Sequence, residues 1–286
     1  MNQISVCLWY NNQAEEAARL YAEVFKSTKT LATSYYNKAS AEISGQKEGS
    51  VLTIDMQIEN LVFQLLNGGP MFKFSPSLSL FLSFTDEKEL QQAWSQLSKG
   101  GQLRMALDQY PWAEKYGWTT DRFGVEWQFI LAPNPQKIMP ALLFTDELFG
   151  RGEEALQYYT SLFPGSKITS MSKDPKSKTI QHCTFNLKGQ EFVLMEGAGK
   201  HGHQFTHATS ITVPCANQKE IDHLHEGLSR GGDVEACGWV QDKYGVSWQI
   251  VPDFIDEIMK DPARSGPAMD AILKMKKLDY EVLSRF

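Results

Sequence analysis

The sequence predicts an α+β fold made of two tandem domains, and three observations support this prediction. The phrase Asp-basic-aromatic-Gly-Val-x-Trp-Gln-x-aliphatic occurs twice, as residues 121–130 and 242–251, which lie 121 positions apart. A Glu-Glu-Ala triplet opens a helical pattern at residues 15–17 and again at 153–155. In each copy, the apolar patterns follow the order β-α-β-β-β twice. Because matched landmarks in one order indicate a duplication, we expect two copies of one domain.

The first copy begins with an apolar strand, followed by a helix on which alanines and aromatic residues recur at helical spacing. Residues 50–59 alternate apolar and polar side chains, which predicts a half-buried strand that turns at Asn60 into the next strand. Asp86, followed by Glu89, predicts the N-terminal cap of a second helix. The predicted elements are strand 4–10, helix 14–25, strands 28–36, 50–59, 61–66 and 78–84, a helix ending near residue 97, and strands 102–106, 116–121 and 125–131, with a loop at 37–48.

The second copy repeats this order and is followed by a tail. Its predicted elements are strand 138–145, helix 152–163, strands 166–172, 178–188, 190–195 and 208–214, helix 218–229, and closing strands up to residue 251. Residues 132–136 are rich in proline and predict a linker, and Pro262 and Pro267 divide the amphipathic tail into two short predicted helices. We therefore expect a first domain at 1–132, a second at 137–254 and a helical tail at 255–286.

The composition indicates ordinary packed cores and argues against several classes of protein. Hydrophobic residues make up 42% of the 286 residues. The net charge of −6 is divided evenly between the two halves, so we expect no basic face for nucleic acid. The sequence shows neither a signal-peptide pattern nor a membrane-length apolar run, so we expect a cytoplasmic protein without a membrane partner. The four cysteines lack a CxxC spacing and are predicted to be reduced core thiols.

Both copies end in the motif Gly-x-x-x-Asp-x-aromatic-Gly-x-x-Trp, and residues 237–254 read CGWVQDKYGVSWQIVPDF. With the module order, these motifs resemble the vicinal oxygen chelate superfamily of glyoxalases, bleomycin-resistance proteins and extradiol dioxygenases. The most similar group within it is the PhnB-like group, also labelled 3-demethylubiquinone-9 3-methyltransferase-like. The resemblance implies two tandem vicinal-oxygen-chelate-like domains, each a pair of βαβββ modules forming a curved mixed sheet around a cavity. It also implies an intrachain pseudo-dimer and leaves open whether two chains form a homodimer as well.

The resemblance bears on metal binding as well. Enzymes of this superfamily place His, Glu or Gln ligands on four strands that face the cavity, and the last ligand is a Glu. This chain has Gln128 and Gln249 at that last position, and Gln binds divalent cations less well than a carboxylate does. His, Asp and Glu are also missing from the other segments at which such ligands are expected, namely 5–9, 141–144, 78–84 and 208–213. We therefore expect neither a metal nor another cofactor.

The histidines all lie in the second copy, so we expect the second domain to carry any activity. His182 lies in the middle of a strand and is the best candidate for a general acid or base if that face lines the cavity. A structural histidine bonded to a neighbouring strand is the alternative. His201, His203 and His207 resemble a metal-ligand cluster, with a solvated loop as the alternative. The other candidates for facing a ligand are Asp55, Gln57, Glu126, Gln128, Thr184, Asn186, Ser247 and Gln249.

The repeated phrase also contains residues for which a structural role is expected. Strand alternation sends Trp127 and Trp248 to the face opposite the repeated glutamines, where we expect core anchors. Asp121 and Asp242 are predicted to begin tight turns. These four residues are therefore assigned to the scaffold.

The functional expectation is broad. A glycine turn between a strand and a helix normally holds a nucleotide-type cofactor, and the candidate at residues 150–152 has no glycine counterpart in the first copy, so we do not expect methyltransferase activity. We expect a protein that binds a small molecule in an apolar, metal-free cavity. One alternative is a metal-assisted isomerase, lyase or dioxygenase of the superfamily, and another is a scaffold with vestigial cavities. Whether the chain is an enzyme stays open.

Overall fold

The structure is a computed structural model that describes residues 3–133 and 137–286. The predicted linker at 132–136 lies largely outside the described residues. The first repeat contains β1 (Ser5–Tyr10), α1 (Ala14–Val24), β2 (Thr28–Tyr35), α2 (Lys38–Ser44), β3 (Val51–Ile58), β4 (Leu61–Asn67), β5 (Leu78–Phe84), α3 (Glu87–Leu97), β6 (Leu103–Tyr110), β7 (Ala113–Thr120) and β8 (Glu126–Leu131).

The second repeat has the same order, and a tail of three helices follows it. It contains β9 (Lys137–Phe144), a short 3₁₀ turn (Asp146–Leu148), α4 (Gly152–Leu162), β10 (Lys167–Lys173), β11 (Ile180–Leu187), β12 (Gln190–Glu196), β13 (Thr209–Cys215), α5 (Gln218–Ser229), β14 (Asp233–Val234), β15 (Trp239–Gln241) and β16 (Ser247–Pro252). The tail contains α6 (Ile255–Lys260), α7 (Pro262–Ile272) and α8 (Tyr280–Leu283). In the described part of the chain, none of the helices is long and apolar enough to cross a membrane.

The strands form two mixed sheets of eight strands each, and each sheet contains one module from each repeat. Sheet A has the order β14-β15-β16-β13-β1-β4-β3-β2, and sheet B has the order β10-β11-β12-β9-β5-β8-β7-β6. The repeats meet where β1 runs antiparallel to β13 and where β5 runs antiparallel to β9. The α+β fold class with paired βαβββ modules is thus confirmed. Because both repeats build each sheet, an activity at either sheet cannot be assigned to the second repeat alone.

The modules of one repeat pack against each other through a hydrophobic core that includes their helices. In the first repeat, this core joins α1 and the strands of sheet A to α3 and the strands of sheet B. Trp127 and Trp248 are fully buried, which confirms their role as core anchors. Asp121 and Asp242 each begin a turn by accepting two backbone N–H bonds, as predicted. The opposite face of each sheet carries Gln128 or Gln249, and we call it the cavity face.

Two predictions of local structure were wrong. The predicted loop at 37–48 contains helix α2, because the Asn37 side chain accepts a bond from Ser40 N at 2.8 Å and Gly45 ends the helix in the left-handed region at φ 71°. The tail forms three helices rather than two. Pro262 begins α7, where its missing N–H costs no helical hydrogen bond, and Pro267 lies inside that helix.

Candidate functional site

A row of polar side chains crosses the cavity face of sheet A where the two repeats meet. Asp55 on β3 lies opposite Gln64 on β4, and Gln64 lies beside Cys7 on β1. Cys7 in turn lies opposite Ser210 on β13, and Gln249 on β16 follows beyond Ser210. The five strands that carry these residues come from both repeats, so the row exists only because the sheet is shared.

Hydrogen bonds join the two ends of this row to their neighbours. Gln64 Nε2 donates to Asp55 Oδ1 at 3.2 Å, and Gln249 Nε2 donates to Ser210 Oγ at 2.9 Å. An ionised carboxylate only accepts hydrogen bonds, so the Gln64 amide presents its nitrogen to Asp55. Both amides therefore use their NH₂ groups within the sheet.

Burial controls the protonation of two groups in the row. Asp55 is 7% exposed, and burial raises its pKa to about 6. The nearby carboxylate of Asp256 also raises the Asp55 pKa, whereas the bond from Gln64 lowers it. Burial raises the pKa of Cys7 to about 12, so its thiol is neutral at physiological pH.

Three hydroxyl groups next to the row lack a hydrogen-bond partner among the described residues. They belong to Ser5 on β1, Thr212 on β13 and Ser247 on β16, and their oxygens are buried. Ser5 and Thr212 line the same cavity as Asp55. Because a buried hydroxyl without a partner is costly, this cavity offers bonding capacity that the protein itself does not use.

The cavity over the row has a volume of about 200 Å³ and is covered by the tail. Backbone N–H groups of Cys237 and Gly238 donate to the carbonyls of Met275 and Lys276, both at 2.7 Å, which ties the tail to the sheet. The walls are mainly apolar and include Leu52, Leu66, Trp239, Val251, Ile255, Met259, Met269, Ile272 and Leu278. The cavity thus combines an apolar body with a polar floor.

A groove of about 300 Å³ adjoins this cavity between β2 and the tail helices. Leu52, Met259 and Met269 line both spaces, and we call the groove the entrance groove. Lys260 lines both as well, and it is exposed. The Lys260 amine therefore lies in water, whereas Asp55 lies at the buried end.

The cavity face of sheet B has the same framework but different side chains. Gln128 Nε2 donates to Ser79 Oγ at 2.8 Å, as Gln249 does to Ser210. The Gln128 amide oxygen accepts the Tyr116 hydroxyl at 2.5 Å. By strand register, Val193 and Ala141 replace Gln64 and Cys7. The centre of this face is consequently an apolar cluster that contains Phe81, Tyr116, Met139, Ala141 and Val193.

His182 lies at the side of this cluster and lines a cavity of about 670 Å³. Its ring lies 5.6 Å from that of Phe81, and Trp112 and Tyr116 line the same cavity. Burial lowers the pKa of His182, so the imidazole is neutral at physiological pH. The structure therefore separates the predicted residues: Asp55 and Gln249 share the sheet A cavity, whereas His182 lies in the sheet B cavity.

Four of the remaining predicted residues bond to groups of their own sheet. Gln57 donates to a backbone carbonyl two residues along, and Asn186 accepts a turn N–H at 2.9 Å. Thr184 bonds to hydroxyls of the neighbouring edge strand, and Glu126 pairs with Arg104 at 2.7 Å. Ser247 is the buried hydroxyl described above. These positions contribute to the sheet rather than to a common site.

The residues on the two cavity faces do not fit a divalent cation. Sheet A offers one carboxylate, two amides and a neutral thiol, and sheet B has Ala141 and Val193 at two of the central positions. His201 and His203 lie 6.0 Å apart between ring centroids, but His207 instead hydrogen-bonds to Glu235. Within residues 3–133 and 137–286, no group of three or more His, Cys, Asp or Glu side chains is placed to hold a metal.

The side chain of Glu196 occupies the glycine turn before α4. Glu196 Oε1 accepts the backbone N–H groups of Gly150 and Gly152 at 2.6 and 3.0 Å, and its second oxygen accepts Ile180 N at 2.6 Å. The start of this helix already holds a carboxylate, which is the kind of group that helix N-termini bind.

Several residues of the sheet A cavity were not predicted from the sequence. Gln64 belongs to a predicted strand, and the alternation of residues 61–66 could have placed it opposite Asp55 once the hairpin register was known. Trp239 belongs to a Gly-Trp landmark that both copies carry, at residues 117–118 and 238–239, and this repetition gave no sign of a cavity. Asp256 and Lys260 belong to the tail, and no sequence signal shows which sheet the tail covers.

Comparisons with known proteins agree with this architecture. The sequence profile of the family described as 3-demethylubiquinone-9 3-methyltransferase matches residues 2–130 and 136–251. A PhnB protein from Bacillus cereus is 28% identical over 45% of this chain and 98% of its own, with a TM-score of 0.41. Glyoxalase I from Zea mays is 13% identical over 89% of this chain and 95% of its own, with a TM-score of 0.59.

A proposed dioxygenase from Bacillus subtilis is 11% identical over 97% of this chain and 96% of its own, with a TM-score of 0.55. These last two similarities show the fold. None of the curated proteins matches the chain.

Proposed function

The chain belongs to the 3-demethylubiquinone-9 3-methyltransferase family, the PhnB-like group of the vicinal oxygen chelate superfamily, and we propose that it binds a small molecule in the sheet A cavity without a resident metal. One observation carries the proposal. Among residues 3–133 and 137–286, a buried carboxylate with a single hydrogen bond and two hydroxyls without a partner lie together beneath an apolar cover. Concave, mainly apolar sites with a few polar groups are the usual form of small-molecule sites.

The experiment fills the cavity with the side chain that sheet B carries. Thr212 lies opposite Gln249 as Phe81 lies opposite Gln128, so Thr212→Phe transfers the sheet B residue into sheet A. Ligands from a small-molecule library would be detected by native mass spectrometry and thermal shift. We expect Thr212→Phe to abolish binding, and the control Phe81→Thr to preserve it. Ligands that bind Thr212→Phe and wild type equally would overturn the proposal.

Metal analysis of protein purified without a histidine tag tests the second part of the proposal. We expect substoichiometric zinc, nickel, manganese and iron, because the floor of the cavity offers one buried carboxylate and a neutral thiol. A stoichiometric metal that is lost on substitution of Gln249 would favour a metal-assisted isomerase, lyase or dioxygenase instead.

A second candidate is proton-transfer chemistry at His182. It is favoured by a neutral, half-buried imidazole in a cavity of about 670 Å³. His182→Ala and Asp55→Ala together assign a ligand to one cavity. Loss of binding on Asp55→Ala alone supports the first proposal, and loss on His182→Ala alone supports the second.

We do not propose methyl transfer, because Glu196 occupies the glycine turn that could have held a nucleotide-type cofactor. We propose a cytoplasmic location, since all four cysteines are free. The shared sheets support an intrachain pseudo-dimer. Size-exclusion chromatography with light scattering would show whether two chains also associate.

A further inference from the structure

The floor of the sheet A cavity presents hydrogen-bond acceptors. Asp55 has a carboxylate at the buried end, and the amide nitrogens of Gln64 and Gln249 are used within the sheet. In sheet B, Tyr116 supplies a hydroxyl to the equivalent amide oxygen, but the repeated Gly-Trp landmark places Cys237 at that position in sheet A. The ionised Asp55 carboxylate only accepts hydrogen bonds, so a ligand that pairs with it must bring a donor.

The charges that line the cavity favour a positively charged donor. Among the described residues that line it, Asp55 is the buried carboxylate, whereas Asp256 is partly exposed and the amine of Lys260 is exposed. Lys260 is exposed, so water screens its charge more than that of the buried Asp55. The buried end of the cavity thus has a negative potential, which an incoming cation would neutralise.

The remaining lining indicates what else such a ligand contains. Leu66, Val251 and Ile272 form walls without polar side-chain groups, and Met259 and Met269 continue them towards the entrance groove. A highly hydrated inorganic cation would gain nothing from these walls, whereas an alkyl or aryl group would bury apolar surface there.

We propose that the ligand is an organic amine whose ammonium group pairs with Asp55, with its alkyl or aryl body beneath the tail helices. The hydroxyl oxygens of Ser5 and Thr212 accept further hydrogens of the ammonium group or of a second donor on the ligand. This inference rests on the proposed function of the same cavity.

Three probes that share a six-carbon chain and differ in their functional group test the inference, namely hexylamine, hexan-1-ol and hexanoate. Affinity would be measured by calorimetry at pH 8, and position by NMR of methyl-labelled Met259 and Met269. We expect hexylamine to bind at least about tenfold more tightly than the other two, in line with a charge-assisted bond. Asp55→Asn should remove this preference and leave hexan-1-ol unaffected, and the control Thr184→Ala on the matching position of sheet B should change nothing.

The outcomes separate the inference from the proposed function. If the methionine methyls shift but the three probes bind equally, or if hexanoate binds most tightly, the amine inference is wrong. The proposed function of the cavity as a binding site would still stand. Absence of methyl shifts with every probe contradicts both. If Asp55→Asn does not fold, the affinity of the wild type for hexylamine would be measured at pH 8 and at pH 5 instead. The charged side chains that face Asp55 are those of Asp256 and Lys260. Protonation of Asp55 should weaken binding at pH 5. An unchanged affinity would contradict the inference that the ligand is an amine.

Discussion

The cavity faces of sheets A and B have the same strand framework but are covered by different parts of the chain. In sheet B, the long hairpin of β6 and β7 carries Trp112 and Tyr116 over the face. In sheet A, the matching strands β14 and β15 have two and three residues, and the tail covers the face instead. Two modules of one repeated fold can thus be covered by different segments, a hairpin of the module in sheet B and the tail in sheet A.

The replacement changes the chemistry of the face. Tyr116 satisfies Gln128 and packs into an apolar cluster, so sheet B is closed at its centre. Cys237 is smaller, and the space above Gln249 is bounded by Leu278 and Ile272 from the tail. Sheet A consequently keeps a buried polar row with room above it, and the cavity that we propose to bind a ligand results from this exchange.

The largest expected effect tests whether the two repeats share one scaffold beneath their different faces. Asp121 and Asp242 each accept four hydrogen bonds, two from backbone N–H groups, one from a tyrosine hydroxyl and one from a tryptophan. An amide has one acceptor oxygen and would leave buried donors facing its NH₂ group. Asp121→Asn and Asp242→Asn should each lower the free energy of unfolding by about 3 kcal/mol.

Urea denaturation at pH 7 measures both variants, and nearly equal losses support a common scaffold. A loss below about 1 kcal/mol in one of them would show that the repeats are held together differently.

The next prediction concerns Asp55, whose replacement by asparagine should raise the free energy of unfolding rather than lower it. Burial raises the pKa of Asp55 to about 6, as it does that of Asp242. Within the described residues, however, the Asp55 carboxylate accepts one hydrogen bond rather than four, so an amide there leaves few donors without a partner. A pKa raised in the folded state means that ionisation disfavours folding, so the wild type loses stability as the pH rises from about 4 through 6. Asp55→Asn should therefore stabilise the protein at pH 8 by roughly 2 kcal/mol and have no effect near pH 3.5.

Denaturation curves of the two proteins between pH 3.5 and 8 give this difference directly, because all other titrating groups cancel in it. A difference that is independent of pH would contradict the raised pKa of Asp55.

A smaller effect concerns the group that closes sheet B. Tyr116→Phe removes the hydroxyl bonded to the buried Gln128 oxygen and should cost about 1–2 kcal/mol of unfolding free energy. Tyr110→Phe is the matched control, because the Tyr110 hydroxyl bonds to the Ala106 carbonyl at a partly exposed site. Its loss should stay below about 0.5 kcal/mol. Equal losses in the two variants would show that Tyr116 fills space without satisfying Gln128.

Much of the scaffold was predictable, because local pattern and repetition determine it. Alternation in residues 50–59 placed Asp55 and Gln57 on one face, and the repeated phrase placed Trp127 and Trp248 in the core. Alternation alone could not show that Gln57, near the end of β3, bonds to a backbone carbonyl while Asp55 reaches the cavity. That distinction depends on where neighbouring elements cover the face.

The sharing of the sheets was not predictable from local pattern. Nothing in the residues of β1 specifies β13 as its antiparallel neighbour, since pairing over about 200 residues depends on packing of the whole molecule. The docking of the tail is equally non-local. Its apolar spacing predicted helices, but the bonds from Cys237 and Gly238 to residues 275 and 276 decide which sheet it covers. Helix α2 depends on its caps, Asn37 and Gly45, more than on an apolar stripe.

The last prediction concerns His182→Ala, which should change stability little and whose ligand affinity shows which cavity face binds the ligand. His182 is half-buried and contacts the ring of Phe81 from the side of the cluster, so its loss should cost less than about 1 kcal/mol. The hexylamine affinity of this variant, measured by calorimetry at pH 8, should equal that of the wild type, because Asp55 and the tail are unchanged. A weaker affinity without a change in stability would place the ligand against sheet B, and the long hairpin rather than the tail would then be the cover that matters.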